Sequence, residues 1–190
     1  IENRAILHEK LENYNKAFND YSRAIRLMPN EKYFRINRIN LLNQLDMTEE
    51  LISDYEELLK LDTTHIGPVI GIGNVYYMLD DYDKAAYYYS KGTNYQKSDP
   101  KNAALCYHNL GLIAEKEQPF DEAFTLYKKA LSLDSNNIDM ILWHAAIYEE
   151  LQNYEKAYKL YSRAINLNVE NPEYYEHRAI LSQKSKDYVS

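Results

Sequence analysis

The chain is poor in the residues that staple or reactivate a fold. Cys106 is the one cysteine in 190 residues, which excludes an internal disulfide framework, and no Asn-x-Ser/Thr glycosylation acceptor occurs. Both absences suit a reducing compartment, so the chain is expected to be intracellular, in the cytoplasm. No run of 18 apolar residues exists, so no helical membrane span is expected. No charged and apolar leader opens the chain, which begins at Ile1 without a Met. Cations are outnumbered, 22 Lys and Arg against 29 Asp and Glu for a net charge of −7, and they are scattered. The counterion release on which nucleic-acid binding depends therefore has no evident source, and neither DNA nor RNA is an expected partner.

Catalytic and metal signatures are equally sparse. The stretch GPVIGIGNVYY from Gly67 contains a G-x-G but no third glycine at the spacing of a dinucleotide loop and no preceding strand. His8, His65, His108, His144 and His177 are never three or four residues apart, so no two of them share a helix face as zinc ligands. Cys106 and His108, two apart, point to different sides of a helix, which marks Cys106 as a buried structural thiol. Acid pairs such as Glu56-Glu57 and Glu149-Glu150 are those of solvated helices. No enzyme, metal or cofactor is expected.

What the chain has is repetition. LENYNKA at Leu11 to Ala17 returns as LDDYDKA at Leu79 to Ala85 and as LQNYEKA at Leu151 to Ala157, at separations of 68 and 72 residues. The first separation is two periods of 34 and the second is two periods plus one helical turn. Stepping from Ala17 by that period reaches Leu51 and Ala85, a step of 38 then reaches Ala123, and one more period reaches Ala157. Four residues later stand Tyr21, Tyr55, Tyr89, Tyr127 and Tyr161, and three further on Ala24, Leu58, Gly92, Ala130 and Ala164. The i, i+4, i+7 spacing puts each trio on one helix face. An upstream series keeps the same steps: Ala5, Ile39 as a misfit, Gly73, Gly111, Ala145 and Ala179. Each unit therefore holds two helices whose small residues let the axes approach, while the tyrosine fills the wedge between them.

This pattern resembles the tetratricopeptide repeat, a helix-turn-helix unit of 34 residues with a small residue in the first helix and small, aromatic and small positions along the second. YHNLGLIAEKEQPFDEAFTLYKKALSLDSNN, from Tyr107, is the closest copy, and LLNQLDMTEELISDYEELLKLD, from Leu41, the most degenerate. The resemblance implies an all-α fold, an α-solenoid of antiparallel helix pairs in a right-handed superhelix, as five repeats plus the first helix of a sixth. Its repeats run 1–31, 32–65, 66–103, 104–137, 138–171 and 172–190, the last one partial. Four extra residues fall between Tyr95 and Gly111, where QKSDPKNA is expected either to lengthen a helix by a turn or to widen a loop. Asp99-Pro100 and Asn171-Pro172 each offer a capping side chain before a proline at the first helical position. Met28-Pro29-Asn30 is expected to end one helix and cap the next, and Thr48-Glu49-Glu50 to open another with carboxylates suited to its dipole. The last repeat stops just after Tyr188, so the chain is expected to be an excerpt of a longer protein, able to self-associate through trimmed ends.

In the family, the first helices line an inner groove. Carried onto this chain, the groove positions are Ile36, Asn40, Ile70, Asn74, Tyr77, Leu105, His108, Asn109, Leu112 and Leu142. An acidic end follows at Glu115, Asp139, Glu149, Glu150, Glu173 and Glu176, with Lys116 as its main counter-charge. The implied function is that of a non-catalytic interaction scaffold. Ile36, Ile70, Leu105, Leu112 and Leu142 would take apolar anchors of a peptide or helical segment, the asparagines would hold its backbone, and the acidic end would prefer Lys or Arg. Co-chaperone members grip the acidic tail of heat-shock chaperones with a clamp of lysines, asparagines and an arginine. Here only Asn74 and Asn109 match it, with Ile70, Asp139 and Trp143 where cations are needed, so such a tail is not an expected partner. Two other readings stand beside the groove. Asn37 and Asn109 share a position with the asparagine ladder of a family member attached to a sugar-transferring enzyme, which suggests a substrate-reading arm. The crowd of Tyr76, Tyr77, Tyr82, Tyr87, Tyr88, Tyr89 and Tyr95 suggests an architectural subunit of a ciliary, cell-cycle or transport assembly that uses its convex face and ends.

Overall fold

In the computed structural model the described residues are 1–45, 47–117, 120–168 and 171–187. They form eleven helices and no strand. The chain divides into two compact units, Ile1–Tyr88 and Tyr89–Ser190. The first contains α1 (Glu2–Lys10), α2 (Tyr14–Leu27), α3 (Lys32–Gln44), α4 (Thr48–Leu61), α5 (Gly67–Met78) and the start of α6 (Tyr82–Thr93). The second contains the end of α6, then α7 (Pro100–Glu117), α8 (Phe120–Leu133), α9 (Ile138–Glu150), α10 (Tyr154–Leu167) and α11 (Pro172–Asp187). Packing joins α1 to α2 and α3 to α4 in the first unit, and α7 to α8 and α9 to α10 in the second. The result is the α-solenoid of helix pairs that the 34-residue period implies. Tyr188 lies outside the described residues.

The thrice-repeated motif is the turn between the two helices of a pair. Its second residue, Glu12, Asp80 or Gln152, adopts a left-handed backbone with φ of 57°, 56° and 55°. This lets the next N–H reach back to a helix carbonyl: Asn13 to His8 at 2.8 Å, Asp81 to Tyr76 at 2.9 Å and Asn153 to Tyr148 at 2.8 Å. The third residue then caps the second helix. Asp81 accepts from the Lys84 N–H at 3.2 Å and Asn153 from that of Lys156 at 3.3 Å, while Asn13 makes no side-chain cap.

Most boundary expectations hold. Asp99 accepts from the Asn102 N–H at 3.2 Å and Asn171 from that of Glu173 at 3.0 Å. α4 begins at Thr48 with Glu49 and Glu50 in its first turn. Asn30 is a correction: α2 does end before Pro29, but the cap of α3 is Glu31, which accepts from the Tyr33 N–H at 3.5 Å. The four extra residues lengthen a helix, since α7 starts at Pro100, a turn ahead of its repeat position, and runs for 18 residues.

The core is one cluster repeated. In the first unit Ala5, Ala17 and Tyr21 pack with Leu41, while Ile39, Leu51 and Leu58 pack with Val75. In the second, Ala123 and Tyr127 pack with Ile147, and Ala145, Ala157 and Tyr161 with Leu181. The closing residue of each cluster, Leu41, Val75, Ile147 or Leu181, comes from the first helix of the following repeat and recurs at the same repeat position. The tyrosine fits because its neighbour is small: a Cβ on Gly111 would stand 2.5 Å from the Tyr127 ring. In the degenerate repeat Ile39 occupies that slot, and Tyr55 lies instead over Gly71, where a Cβ would be 2.3 Å from its ring. Ala179 is exposed, since no described helix follows α11 to cover it.

Candidate partner-binding clefts

Each unit carries a cleft on the first-helix side. In the first unit α3, α4 and the loop before α5 enclose about 410 Å³ lined by Lys32, Ile36, Asn40, Tyr55, Asp62, His65, Gly67 and Pro68, with Ile39 and Leu58 beneath. Its rim is ordered electrostatically. Lys32 donates to Asp62 at 2.7 Å, and Asp62 also accepts from the Thr64 N–H and hydroxyl at 3.0 and 2.6 Å. These bonds, that of Lys32 foremost, hold the Asp62 carboxyl well below the usual carboxylate range. Ile36 is 46% exposed at the mouth, a free apolar side chain beside an exposed Asn40 amide.

The cleft of the second unit is larger, about 580 Å³, and its character is aromatic and acidic. His108 from α7, Asp139, Leu142, Trp143 and Ala146 from α9, Tyr161 from α10, and Glu173, Tyr174 and His177 from α11 line it. The Trp143 indole, 42% exposed, stands edge-on to His108 with centroids 5.9 Å apart, and the His177 ring stacks on Tyr161 at 5.1 Å. Burial lowers the pKa of His108 from its ordinary value, with Asp139 opposing the shift.

The expected groove residues divide unevenly between surface and core. Ile36, Asn40, His108 and Leu142 line the clefts. Asn74 is exposed, Asn109 half-buried, and Tyr77 half-buried with its ring edge-on to Tyr82 at 5.5 Å. Ile70 is a correction: it is 8% exposed and belongs to the core. Leu105 and Leu112 are half-buried and pack on the Ala104–Ala130–Met140 and Ala114–Ala123–Tyr127–Ile147 clusters, so their surface is spent largely on neighbouring helices. Of the acidic end, Asp139 and Glu173 line the cleft, while Glu149 is paired with Lys184 at 2.9 Å. Glu115 is half-buried, and Glu150 and Glu176 are exposed away from the cleft lining.

Several relevant residues were missed. Trp143, Tyr174 and His177 enter the second cleft, and none of them is among the groove positions carried over from the family. Trp143 and His177 hold the ladder position of Asn37 and Asn109, so the row reads Asn37, Gly71, Asn109, Trp143, His177 and no continuous asparagine ladder forms. The tyrosine crowd is largely used internally: Tyr89 is 1% exposed, and Tyr76 stacks on Tyr88 at 5.8 Å. Tyr87 is 56% exposed. Cys106 is buried, and burial pushes its thiol up to about 12, as befits a structural residue. Among the described residues no group of three or more His, Cys, Asp or Glu side chains could hold a metal ion, and no helix is long and apolar enough to cross a membrane.

The comparisons with known proteins agree with this architecture. Residues 114–181 match the family model described as tetratricopeptide repeat. Hsp70-Hsp90 organizing protein 3 of Arabidopsis thaliana is 31% identical over 93 residues, which are 49% of this chain and 16% of that protein's length. Among solved structures, PilF of Pseudomonas aeruginosa superposes with a TM-score of 0.73 at 16% identity, covering 98% of this chain and 83% of that one. MamA does so with a TM-score of 0.67 at 17% identity, covering 87% and 95%. YrrB, described as a TPR protein with an unusual peptide-binding site, gives 0.58 at 18% identity, covering 98% and 90%. At such identities the structural likenesses speak for the fold alone. Residues 114–181 thus carry the tetratricopeptide repeat, and the recurring Ala/Gly–Tyr clusters carry the same helix-pair fold into the first unit.

Proposed function

We propose that this chain is a non-catalytic scaffold that holds a segment of a partner protein against its first-helix clefts, and that the second unit reads a Lys or Arg on that segment. The observation that carries the proposal is the convergence of Asp139 and Glu173 with an exposed Trp143 indole in one cleft. A carboxylate pair attracts a cation, and an indole face adds about 0.5–2 kcal/mol of cation–π attraction beside it. Leu142 supplies apolar contact, and in the first unit Ile36 and Asn40 offer a second apolar and amide pair to an extended segment. The likeness to an Hsp70-Hsp90 organizing protein supports the binding of protein partners. It does not carry the cationic clamp with it, because Ile70 is core and Asp139 and Trp143 are the wrong chemistry for a carboxylate tail.

Tiled peptides probed with the purified chain test this. Peptides rich in Lys or Arg with apolar neighbours should be captured, and the pair Trp143→Ala/Asp139→Asn should weaken them roughly tenfold or more, with helicity unchanged. Both residues are exposed, so the substitutions spare the core. Equal capture by the double variant, or no preference for basic peptides, would sink the proposal.

A further inference from the structure

The second unit has another cleft, of about 450 Å³, between α8 and α10 over a different face of α9, and it shares no lining residue with the Asp139–Trp143 cleft. Among the described residues nine side chains line it, four of them cations and none a carboxylate, in a chain whose net charge is −7. Lys156 rests over the Tyr148 ring at 5.1 Å and Lys128 over the Phe124 ring at 5.8 Å. Arg163 donates to Asn136 at 3.4 Å. Lys159 is answered by Glu155 at 2.6 Å, so among the described residues Lys128, Lys156 and Arg163 face the cleft with no carboxylate paired to them. Its lining includes Leu131, Leu160 and Tyr148, an apolar bed under a cationic rim.

The lining also includes His144, which is 3% exposed. Its ring bonds the backbone of Met140, while its Nε2 is buried without a hydrogen-bond partner. Burial keeps the imidazole neutral, pushing its pKa down to about 4. With Nδ1–H donating to the Met140 carbonyl, Nε2 presents a lone pair. A buried acceptor left unanswered costs about 1–3 kcal/mol, so a ligand that donates there gains more than it would at a solvated site.

We propose that this cleft docks an acidic segment of a partner protein, with an apolar side chain on Leu131 and Leu160, carboxylates against Lys128, Lys156 and Arg163, and an N–H donated to Nε2 of His144. Charge complementarity selects the acidic occupant. The His144 acceptor favours a peptide over a phosphate monoester dianion, because a peptide brings N–H donors and that dianion brings none. The apolar bed of Leu131 and Leu160 favours the peptide too, because a peptide brings an apolar side chain to cover it and a phosphate has none. This inference is independent of the first-helix clefts: one surface reads basic residues and the other acidic ones.

Fluorescence anisotropy of the full chain with short labelled peptides, a central leucine flanked by aspartate and glutamate, provides the test. Their Asn/Gln counterparts serve as the control. The acidic peptides should bind and the neutral ones should not. Lys128→Glu/Lys156→Glu, which changes exposed side chains, should weaken binding roughly tenfold or more, whereas Trp143→Ala/Asp139→Asn should leave it intact. His144→Phe should weaken it severalfold with helicity retained; if that variant fails to fold, the charge-reversal pair decides. Equal binding of acidic and neutral peptides, or of wild type and the charge-reversed pair, would overturn the proposal. Displacement by inorganic phosphate but not by chloride at equal ionic strength would show a simple anion site and overturn the peptide assignment.

Discussion

The first two repeats and the second unit solve one packing problem with opposite chemistry. In the first, Arg4 grips Asp20 through two bonds of 2.7 and 2.5 Å, and 34 residues on Arg38 grips Asp54 at 2.7 and 2.6 Å. Arg38 also donates to Ser22 at 2.7 Å, which ties the second repeat to the first, and Arg35 adds a 3.3 Å contact to Asp54. In the second unit the corresponding pairs are Leu110 with Leu126 and His144 with Leu160. There the helices meet through rings: His144 lies 5.8 Å from Phe124 and 6.1 Å from Tyr127. The same position in the repeat therefore accepts an ion pair or an apolar contact. The difference lies in what happens when one partner is lost, since a buried carboxylate without its cation is far costlier than a missing methyl.

The sharpest way to break the comparison is to remove one cation. Arg38→Ala leaves Asp54, whose side chain is 1% exposed, with only the longer contact to Arg35. The loss should be about 3 kcal/mol in urea denaturation. Replacing the more exposed pair together, as Arg4→Leu/Asp20→Leu, should instead be nearly neutral, because it imports the second unit's solution whole. If the single and paired changes cost the same, the ion pairs are not what distinguishes the first unit.

Acid should separate the units next. His144 titrates at about 4 in the folded chain against an ordinary value of 6.5, so its neutral form is the one the fold stabilises. The contribution is fully present above the ordinary value. As pH falls below it, the unfolded chain takes up a proton that the folded chain refuses, and stability declines by up to about 3 kcal/mol on the way to pH 4. Asp20, held below its ordinary 3.8 mainly by the Arg4 bond, follows the same logic in a lower window: its contribution is present above 3.8 and is lost only as pH falls through its lowered value. Denaturation midpoints of wild type and His144→Phe should therefore converge or cross between pH 7 and about pH 4. Parallel curves would remove His144 as the acid-sensitive element.

The smallest effect concerns the tyrosine wedge. Gly111→Ala forces a Cβ into the Tyr127 ring, and that ring, 1% exposed, has nowhere to go. Gly71→Ala meets Tyr55, which is only half-buried and can swing outward. Thermal denaturation should show a loss of roughly 2 kcal/mol for the first and little for the second, where the helix propensity gained by replacing glycine, about 1 kcal/mol, offsets the contact. Equal losses would mean that the degenerate repeat is as tightly wedged as the regular one.

Much of the fold was legible because its signals are local. Ala17, Tyr21 and Ala24 lie on one helix face by spacing alone, and Asp99 and Asn171 declare their helix starts. The clefts were less legible. Ile70, Leu105 and Leu112 have the helical spacing of groove residues, yet the following or preceding helix claims part of their surface, and no rule within one repeat tells which face a neighbour will cover. The Arg–Asp pairs did leave a trace, Arg4 and Arg38 recurring with Asp20 and Asp54 at the same period, but two instances among scattered charges look like an ordinary solvated face.

By itself, then, the sequence determined the helix pairs, their period, the tyrosine wedges and the turn after each first helix, because all of these follow from interactions within about one repeat. Only the tertiary structure decided which side chains remain for a partner. It left Trp143 exposed in one cleft with Asp139 and Glu173, buried His144 with an unanswered nitrogen, and spent Glu149 on Lys184. Exposure is what remains after neighbouring helices have taken their share of each surface, and that division depends on contacts between residues far apart in the chain.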